Sequence, residues 1–194
     1  LQQWRRGRGV DAGSAVLLRV KGHGREGDLF GRHVDLSRTV GSFTSIYPVR
    51  LDPGEVSLAD GPQLARAAKL VKEQLRVPSA GIGYGVLRYL DADAGLPAVT
   101  PQIVFNYRGR STAGPDEEWG FTTVGSGLDP RSPVDALEIN VMGEGRAALT
   151  WPTGILARAA VGELAALWGD ALRAIAGRAE LRGHTPSDFP LVAL

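Results

Sequence analysis

The sequence predicts an α/β protein, more specifically an α+β sandwich in which helices cover a mixed β-sheet. Three observations support this fold class. Short segments of alternating polarity recur along the chain, and two longer segments carry apolar residues three and four positions apart. These two kinds of segment are also interleaved. The predicted order is strand, strand, helix, strand, hairpin and helix, which gives one mixed sheet with helices over one face.

The first strand is predicted at residues 15–20, where Val16, Leu18 and Val20 share one face. It leads into residues 20–27, a charged segment with three glycines. Glycine frees the backbone to turn sharply, so the side chains between the glycines can project into a cleft. We expect the other chemically active groups of the chain to surround this turn.

The spacing Gly22-x-Gly24-x-x-Gly27 also matches a dinucleotide-binding turn. That interpretation requires a helix directly afterwards, because the helix N-terminus binds the pyrophosphate. Residues 28–35 contain another glycine and no apolar stripe at helical spacing. The sequence therefore argues against a dinucleotide site.

The next elements are an extended segment and a helix. Residues 43–51 are placed at a sheet edge or strand start, because Pro48 has no amide hydrogen for a ladder. Asp60-Gly61-Pro62 has the form of a helix start. The amphipathic helix that follows has the apolar stripe Leu64, Ala67, Ala68, Val71 and Leu75.

Residues 78–85 are expected to end that helix. They carry three alternating glycines, which let the backbone pass close to a neighbouring segment. One or two helical turns are predicted at 86–90, a strand at 102–107 and a long loop at 111–134. A hairpin joins strands at 137–142 and 147–151, and a second helix at 161–176 stops at Gly177. Residues 183–194 are expected to lie along the surface.

Composition excludes several classes of function. Lys and Arg total 22 against 21 Asp and Glu, and this net charge of +1 argues against nucleic-acid binding. The chain has no cysteine, which rules out disulfides, thiol catalysis and cysteine metal sites, and its three histidines are too scattered for a zinc or iron site. No apolar run has membrane-spanning length, so we expect a cytoplasmic protein without membrane contact. The start Leu-Gln-Gln-Trp indicates that residue 1 lies inside a longer polypeptide.

Four motifs occur in order along the chain. Residues 21–26 match Glu-Gly-His-Gly-Arg-Glu except at Lys21, and residues 38–48 match Arg-Thr-Val-Gly-Trp-Phe-Thr-x-x-Tyr-Pro with Ser42 in place of tryptophan. Residues 78–85 match Pro-x-x-Gly-x-Gly-Tyr-Gly in full, and residues 105–109 match Phe-Asn-Tyr-Leu-Gly except at residue 108. With these motifs the chain resembles the C-terminal lobe of an epimerization domain of a nonribosomal peptide synthetase, in the condensation-domain superfamily.

The resemblance extends over nearly the whole chain. Residues 137–140 resemble a strand in the last third of the family's domains, and residues 184–191 resemble the tail before the next module. It implies a chloramphenicol-acetyltransferase-like half-domain at residues 1–183 and a linker to a following module at residues 184–194.

The resemblance also implies a reaction. An aminoacyl or peptidyl thioester, carried on the phosphopantetheine arm of a peptidyl carrier protein, loses its α proton and regains it on the opposite face, which converts L to D residues. This chemistry needs a base, an acid on the other face and donors for the enolate oxygen. In the family, a His-His-x-x-x-Asp-Gly motif of the N-terminal lobe and the first Glu of Glu-Gly-His-Gly-Arg-Glu supply the acid–base groups.

The implied partners are the carrier protein, the missing N-terminal lobe and the neighbouring modules, and no cofactor is expected on this lobe itself. No His-His pair is present, so this lobe alone is expected to be inactive. Lys21 occupies the position of the family's catalytic Glu, and this reversal of charge predicts an inactive lobe. The implied catalytic positions are Lys21, His23, Asn106 and Tyr107, and the implied substrate or pantetheine channel is formed by Arg25, Ser42, Thr44, Gly83 and Tyr84.

Structural roles remain open for most of these residues. Lys21 could be a strand-end lysine that reaches solvent, and His23 could bond only within its turn. Arg25 could pair with Glu26, and the polar groups of residues 106 and 107 could have purely structural partners. For the whole chain, the alternative is a non-catalytic condensation-like module that docks a carrier protein or stabilises its neighbours. A peptide-bond-forming condensation domain is disfavoured, because residues 38–48 and 78–85 resemble the epimerizing branch.

Overall fold

The chain folds around one five-stranded sheet with the strand order β2-β1-β3-β4-β5. A computed structural model describes residues 1–11, 13–25, 34–36, 38–76, 81–91, 93–107, 135–142, 145–178 and 183–189. The strands are β1 (Val16–Gly22), β2 (Ser45–Leu51), β3 (Ile103–Tyr107), β4 (Leu137–Met142) and β5 (Arg146–Thr150). The helices are α1 (Gln2–Arg6), α2 (Gly61–Gln74), α3 (Ile82–Tyr89) and α4 (Arg158–Ala176).

The sheet is mixed, as predicted. Its centre is parallel, since β3 pairs in parallel with both β1 and β4, whereas β2 and β5 are antiparallel edge strands. Pro48 lies in β2, and an edge strand is where a residue without an amide hydrogen is tolerated. The predicted hairpin is confirmed as β4 and β5.

The two faces of the sheet differ in composition, because successive residues of a strand point to opposite sides. We call one side the helix-covered face; it carries Val16, Leu18 and Val20 of β1, Ile103 and Phe105 of β3, and Leu137 and Ile139 of β4. We call the other side the polar face; it carries Arg19 and Lys21 of β1, Val104 and Asn106 of β3, and Glu138 and Asn140 of β4.

Helices α2 and α4 lie over the helix-covered face, where side chains of both helices and of four strands line an apolar cavity of about 850 Å³. Helix α2 begins as the sequence indicates, because the Asp60 carboxylate accepts a hydrogen bond from the backbone amide of Gln63 at 3.0 Å. Helix α4 begins at Arg158, three residues before the predicted start, and Gly177 follows it as predicted. Helix α1 is held against α4 by a 2.9 Å hydrogen bond from the Trp4 indole to the Ala160 carbonyl.

Helix α3 is longer than predicted, because it begins at Ile82 instead of residue 86. Gly81 precedes it with φ = +76°, and a Cβ atom at this position would lie 2.0 Å from the Tyr47 ring. Helix α3 therefore starts where the chain packs directly on β2, and this packing outweighs the poor helix propensity of the two glycines inside the helix. The predicted close approach is confirmed at Gly81, whereas a Cβ at Gly83 or Gly85 would meet no atom within 4 Å.

The described part of the C-terminal segment lies against α2. Lys72 pairs with Asp188, and the Ser187 hydroxyl donates a 2.7 Å hydrogen bond to the Glu73 carboxylate. Thr185 is only 4% exposed. Residues 183–189 are thus fixed to the domain surface, and the division into a domain at 1–183 and a linker at 184–194 stays a prediction. The loop predicted at 111–134 lies outside the described residues, as does Glu26.

No helix in the described ranges is both long enough and apolar enough to cross a bilayer.

Candidate acid–base site on the polar face

The polar face brings Lys21 and Asn106 together. They are register partners in the parallel pair β1/β3, and Asn106 is in turn the register partner of Asn140 on β4. Register partners project from the same face of a sheet and are side-chain neighbours. Two of the four predicted catalytic positions therefore stand side by side near the ends of adjacent strands.

Lys21 forms an ion pair with Glu138. The Lys21 Nζ atom lies 2.6 Å from Glu138 Oε1, and the two side chains are 27% and 20% exposed. The hydrogen bond from Lys21 lowers the pKa of Glu138 more strongly than burial raises it. Position 21 is therefore occupied by an ammonium group that is already bound to a carboxylate.

Two asparagine side chains extend this contact. The Asn106 Nδ2 atom donates to Asn140 Oδ1 at 2.8 Å, and the Asn140 side chain lies near Glu138 and helps to lower the pKa of its carboxyl. Four polar side chains thus form one group across three strands, in which Glu138 accepts a hydrogen bond from Lys21.

A second ion pair lies beside the first on the same face. Arg19 Nη1 is 3.0 Å from Asp135 Oδ1, and both side chains are mostly buried. Burial raises the pKa of Asp135, and the positive charge of Arg19 opposes this effect. The two pairs together place two cations and two carboxylates in one small area, so their formal charges cancel.

The glycine-rich turn after β1 has a structural function in the described residues. Gly24 adopts φ = +67°, and a Cβ there would lie 1.5 Å from the Phe43 carbonyl oxygen. The Arg25 guanidinium donates to the carbonyls of Leu36 and Gly41 at 2.9 and 3.0 Å and lies 4.6 Å from the centre of the Phe43 ring. Arg25 therefore fastens this turn to the segment that precedes β2.

His23 projects from the same turn and is exposed. Its Nδ1 atom accepts a 2.9 Å hydrogen bond from the backbone amide of Arg25. This contact lies within the turn, and the catalytic role of His23 stays a prediction.

Tyr107 does not join Lys21 and Asn106. It is the register partner of Val141, so it points to the side opposite Asn106, and it is 61% exposed.

A cavity of about 1000 Å³ adjoins the polar face between β2 and α3. Of the five predicted channel residues, Thr44 and Tyr84 line it, as does Arg19 of the polar face. Lys21, Asn106 and the other three channel positions are not among the described residues of its lining. Ser42 and Gly83 are exposed, and Arg25 makes the turn contacts described above.

Sequence reasoning missed the two carboxylates of the polar face. A signal for Glu138 exists, because Glu138 and Asn140 alternate with Leu137, Ile139 and Val141 in the predicted strand. Polar residues at a spacing of two within such a strand indicate a polar face. No group of three or more His, Asp or Glu side chains with a metal-binding arrangement occurs in the described part of the chain.

The chain is similar to segments of several bacterial synthases that are much longer than it. One of the linear gramicidin synthase proteins of Brevibacillus parabrevis is 36% identical over 93% of this chain, which spans 4% of that protein. Bacitracin synthase 3 of Bacillus licheniformis is 35% identical over 94% of this chain, which spans 3% of that protein. A surfactin synthase protein of Bacillus subtilis is 46% identical over 50% of this chain and 2% of that protein. No protein-family model matches the chain.

The fold has a solved counterpart in the epimerization domain from the third module of tyrocidine synthetase B. The two are 26% identical, with a TM-score of 0.63, and the match covers 90% of this chain and 40% of that one. The chain is a relative of the epimerization domains of nonribosomal peptide synthetases. This structural match confirms the predicted fold, which is the chloramphenicol-acetyltransferase-like fold of that family. The chain spans 40% of the length of the tyrocidine domain.

Proposed function

We propose that this chain is the C-terminal lobe of an epimerization domain. The complete domain would convert L to D aminoacyl or peptidyl residues, held as phosphopantetheine thioesters on a carrier protein, by removing and returning the α proton. The similarity to the tyrocidine epimerization domain supports this reaction class. The observation that carries the proposal is the network in which Lys21, at the position of the family's catalytic Glu, lies beside Asn106.

The second lobe is required because this lobe supplies groups on one side of the reacting carbon. The missing N-terminal lobe would bring its His-His-x-x-x-Asp-Gly motif to the other side. The carrier's arm would approach through the cavity lined by Thr44 and Tyr84, with Arg25, Ser42 and Gly83 in the surrounding segments. The proposed partners are therefore the carrier protein and the neighbouring modules, and the proposed location is the cytoplasm. The phosphopantetheine arm belongs to the carrier protein and holds the substrate as a thioester.

We also propose that Lys21 makes the domain inactive. An ammonium group has no lone pair to accept the α proton, and loss of its own proton would leave Glu138 without its cation. The thioester would be bound with no carboxyl group at position 21 to exchange a proton with the α carbon.

The test is to join the missing lobe and to follow the ratio of D to L residues on a loaded carrier protein. The chain with Lys21 is expected to leave the L residue unchanged, and Lys21→Glu, the positive control, is expected to equilibrate it. Equilibration with Lys21 present would overturn the claim of inactivity. Failure of Lys21→Glu to equilibrate a bound thioester would overturn the assignment as an epimerization lobe.

A second candidate function is a non-catalytic docking module for a carrier protein. The ion pair between Lys21 and Glu138 favours it, because a closed, charge-neutral network stabilises the sheet without any reaction. This candidate predicts that the two-lobed protein binds a phosphopantetheinylated carrier. It also predicts that the D to L ratio stays unchanged both in the protein with Lys21 and in the Lys21→Glu variant.

A further inference from the structure

The polar face contains a carboxylate, Glu138, to which the resemblance assigns no role. It lies on β4, with the whole of β3 between it and Lys21 on β1. Two strand spacings separate β1 from β4, roughly 9.5 Å between backbones. Only two long side chains that reach toward each other over β3 can meet across that distance. The 2.6 Å contact therefore depends on side-chain length at both positions.

The register determines which residues can meet. Lys21 is opposite Asn106, and Asn106 is opposite Asn140, so Glu138 is displaced along β4 by two residues on the same face. Asn140 lies beside Glu138 on that side and helps to lower the pKa of its carboxyl. The ion pair brings the end of the Lys21 side chain to Glu138 on the polar face.

The charged groups around Glu138 are few. In the described residues, β1 contributes Lys21 and Arg19, and the residue that faces them before β4 is Asp135, which is paired with Arg19. On β3 the residues of this face are Val104 and Asn106, and on β5 they are Thr150, Ala148 and Arg146, the register partners of Glu138, Asn140 and Met142. Lys21 is the cation that forms the ion pair with Glu138 and lowers the pKa of its carboxyl.

We propose that Glu138 is a positioning residue of the acid–base centre, which receives the side chain at position 21 and whose protonation is set by the charge there. This inference rests on the proposed function for its catalytic meaning. With lysine at position 21, the pair is a fixed ammonium and carboxylate. With glutamate at position 21, a second carboxyl group would extend over β3 toward Glu138, and we expect this like charge to favour retention of a proton by one of the two groups.

This arrangement gives Lys21 a second effect. A carboxyl pair that shares a proton near neutral pH can both release and accept a proton, as returning a proton to an α carbon requires. Lysine removes this property from Glu138 as well as from position 21. The substitution therefore affects two carboxyl positions of the centre at once.

The experiment is an NMR titration of the Glu138 carboxyl carbon in the chain labelled with ¹³C-glutamate. In the chain as it stands, Glu138 is expected to titrate below the ordinary range of a glutamate, in line with its lowered pKa. Lys21→Met is expected to raise its midpoint by about one pH unit or more. Lys21→Glu is expected to raise it further, with the two-step curve of a coupled pair.

A matched control is the exposed pair of Arg8 and Glu163, which are 2.7 Å apart at the contact of α1 with α4. Arg8→Glu makes the same reversal of charge and is expected to leave the Glu138 titration unchanged. A Glu138 midpoint that does not move in Lys21→Met and Lys21→Glu would overturn the inference. If Lys21→Glu fails to fold, the titration midpoint of Glu138 in Lys21→Met alone tests the inference.

A second experiment, which measures epimerisation rates, separates this inference from the proposed function. In the two-lobed protein, Lys21→Glu is compared with Lys21→Glu combined with Glu138→Gln. The inference predicts that the second variant epimerises at least about tenfold more slowly and that the pH profile of its rate shifts. Equal rates and profiles would overturn the positioning role. Absence of epimerisation in Lys21→Glu, with the coupled titration intact, would overturn the proposed function and not the coupling.

Discussion

The two faces of the sheet are built from the same strands and differ in the interactions that stabilise them. Leu137 and Glu138 are neighbours in β4, yet Leu137 is buried at 2% exposure toward the helices, whereas Glu138 joins Lys21 and Asn140 on the polar face. The helix-covered face is stabilised by removing apolar area from water, which depends little on which partners meet. The polar face depends on exact pairing, because a buried charge without its partner is costly.

The difference shows which part of the molecule tolerates change. On the helix-covered face, one apolar side chain can replace another of similar volume at small cost. On the polar face, a single change at position 21 alters the charge, the hydrogen bonding and the protonation of Glu138. The fold can therefore be retained while the chemistry of the cleft is lost, which is what we propose for Lys21.

The largest effect is expected on the helix-covered face. Leu137→Ala removes one of the most deeply buried side chains and should lower the free energy of unfolding by about 2–5 kcal/mol. The loss should be the same at neutral and acidic pH, because no titrating group is removed. Urea unfolding at both pH values measures it. A loss below about 1 kcal/mol would contradict the packing described for this face.

A smaller effect is expected where α3 packs on the edge strand β2. Gly81→Ala should cost about 1–3 kcal/mol, because φ is +76° and the new Cβ would collide with the Tyr47 ring. Gly83→Ala is the matched control, since its Cβ meets no atom within 4 Å and alanine favours a helix by about 0.5–1 kcal/mol. Thermal unfolding of the two variants should give shifts of opposite sign. Equal shifts would contradict the close packing of Gly81 on the Tyr47 ring at the start of α3.

The effect expected on the polar face is the smallest, and it depends on pH. Glu138→Gln should lower the free energy of unfolding by about 1–2 kcal/mol at pH 7, through loss of a charged hydrogen bond. The folded-state pKa of Glu138 lies below its unfolded value, so its contribution is complete above the unfolded pKa and disappears as pH falls through the folded one. The difference between the two proteins should therefore shrink below about pH 4.

The control for this prediction is Glu163→Gln in the exposed pair with Arg8, which should cost no more than about 1 kcal/mol. Asp135 must be considered in the same titration, because its raised pKa gives stability that is lost as pH rises, the opposite sign to Glu138. A Glu138→Gln loss that stays constant between pH 7 and pH 3 would contradict the ion pair.

Much of the fold could be predicted from the sequence, because it follows from local patterns. The stripe of α2, the cap at Asp60 and the alternation in β1 and β4 are each visible within one element. The start of α3 was predicted too late because its first turn depends on contact with Tyr47, which lies 34 residues before Gly81 in the chain. Tertiary contact of this kind outweighs local propensity.

Less of the candidate site could be predicted. The motifs indicate that positions 21 and 106 belong together, and the parallel register of β1 and β3 places them side by side. The motifs do not reveal that Lys21 would reach over β3 to Glu138, since the two residues are 117 positions apart and their meeting depends on strand order. Tyr107 follows Asn106 in the motif, yet the period of two in a strand turns it to the other face.

The central claim is that Lys21, bound to Glu138, prevents proton exchange at the α carbon in the cleft that the two lobes would form. The most direct measurement is deuterium incorporation at that carbon, with the two-lobed protein and a loaded carrier in D₂O. The account predicts no incorporation with Lys21 and incorporation with Lys21→Glu. Deuterium at the α carbon with Lys21 in place would contradict it.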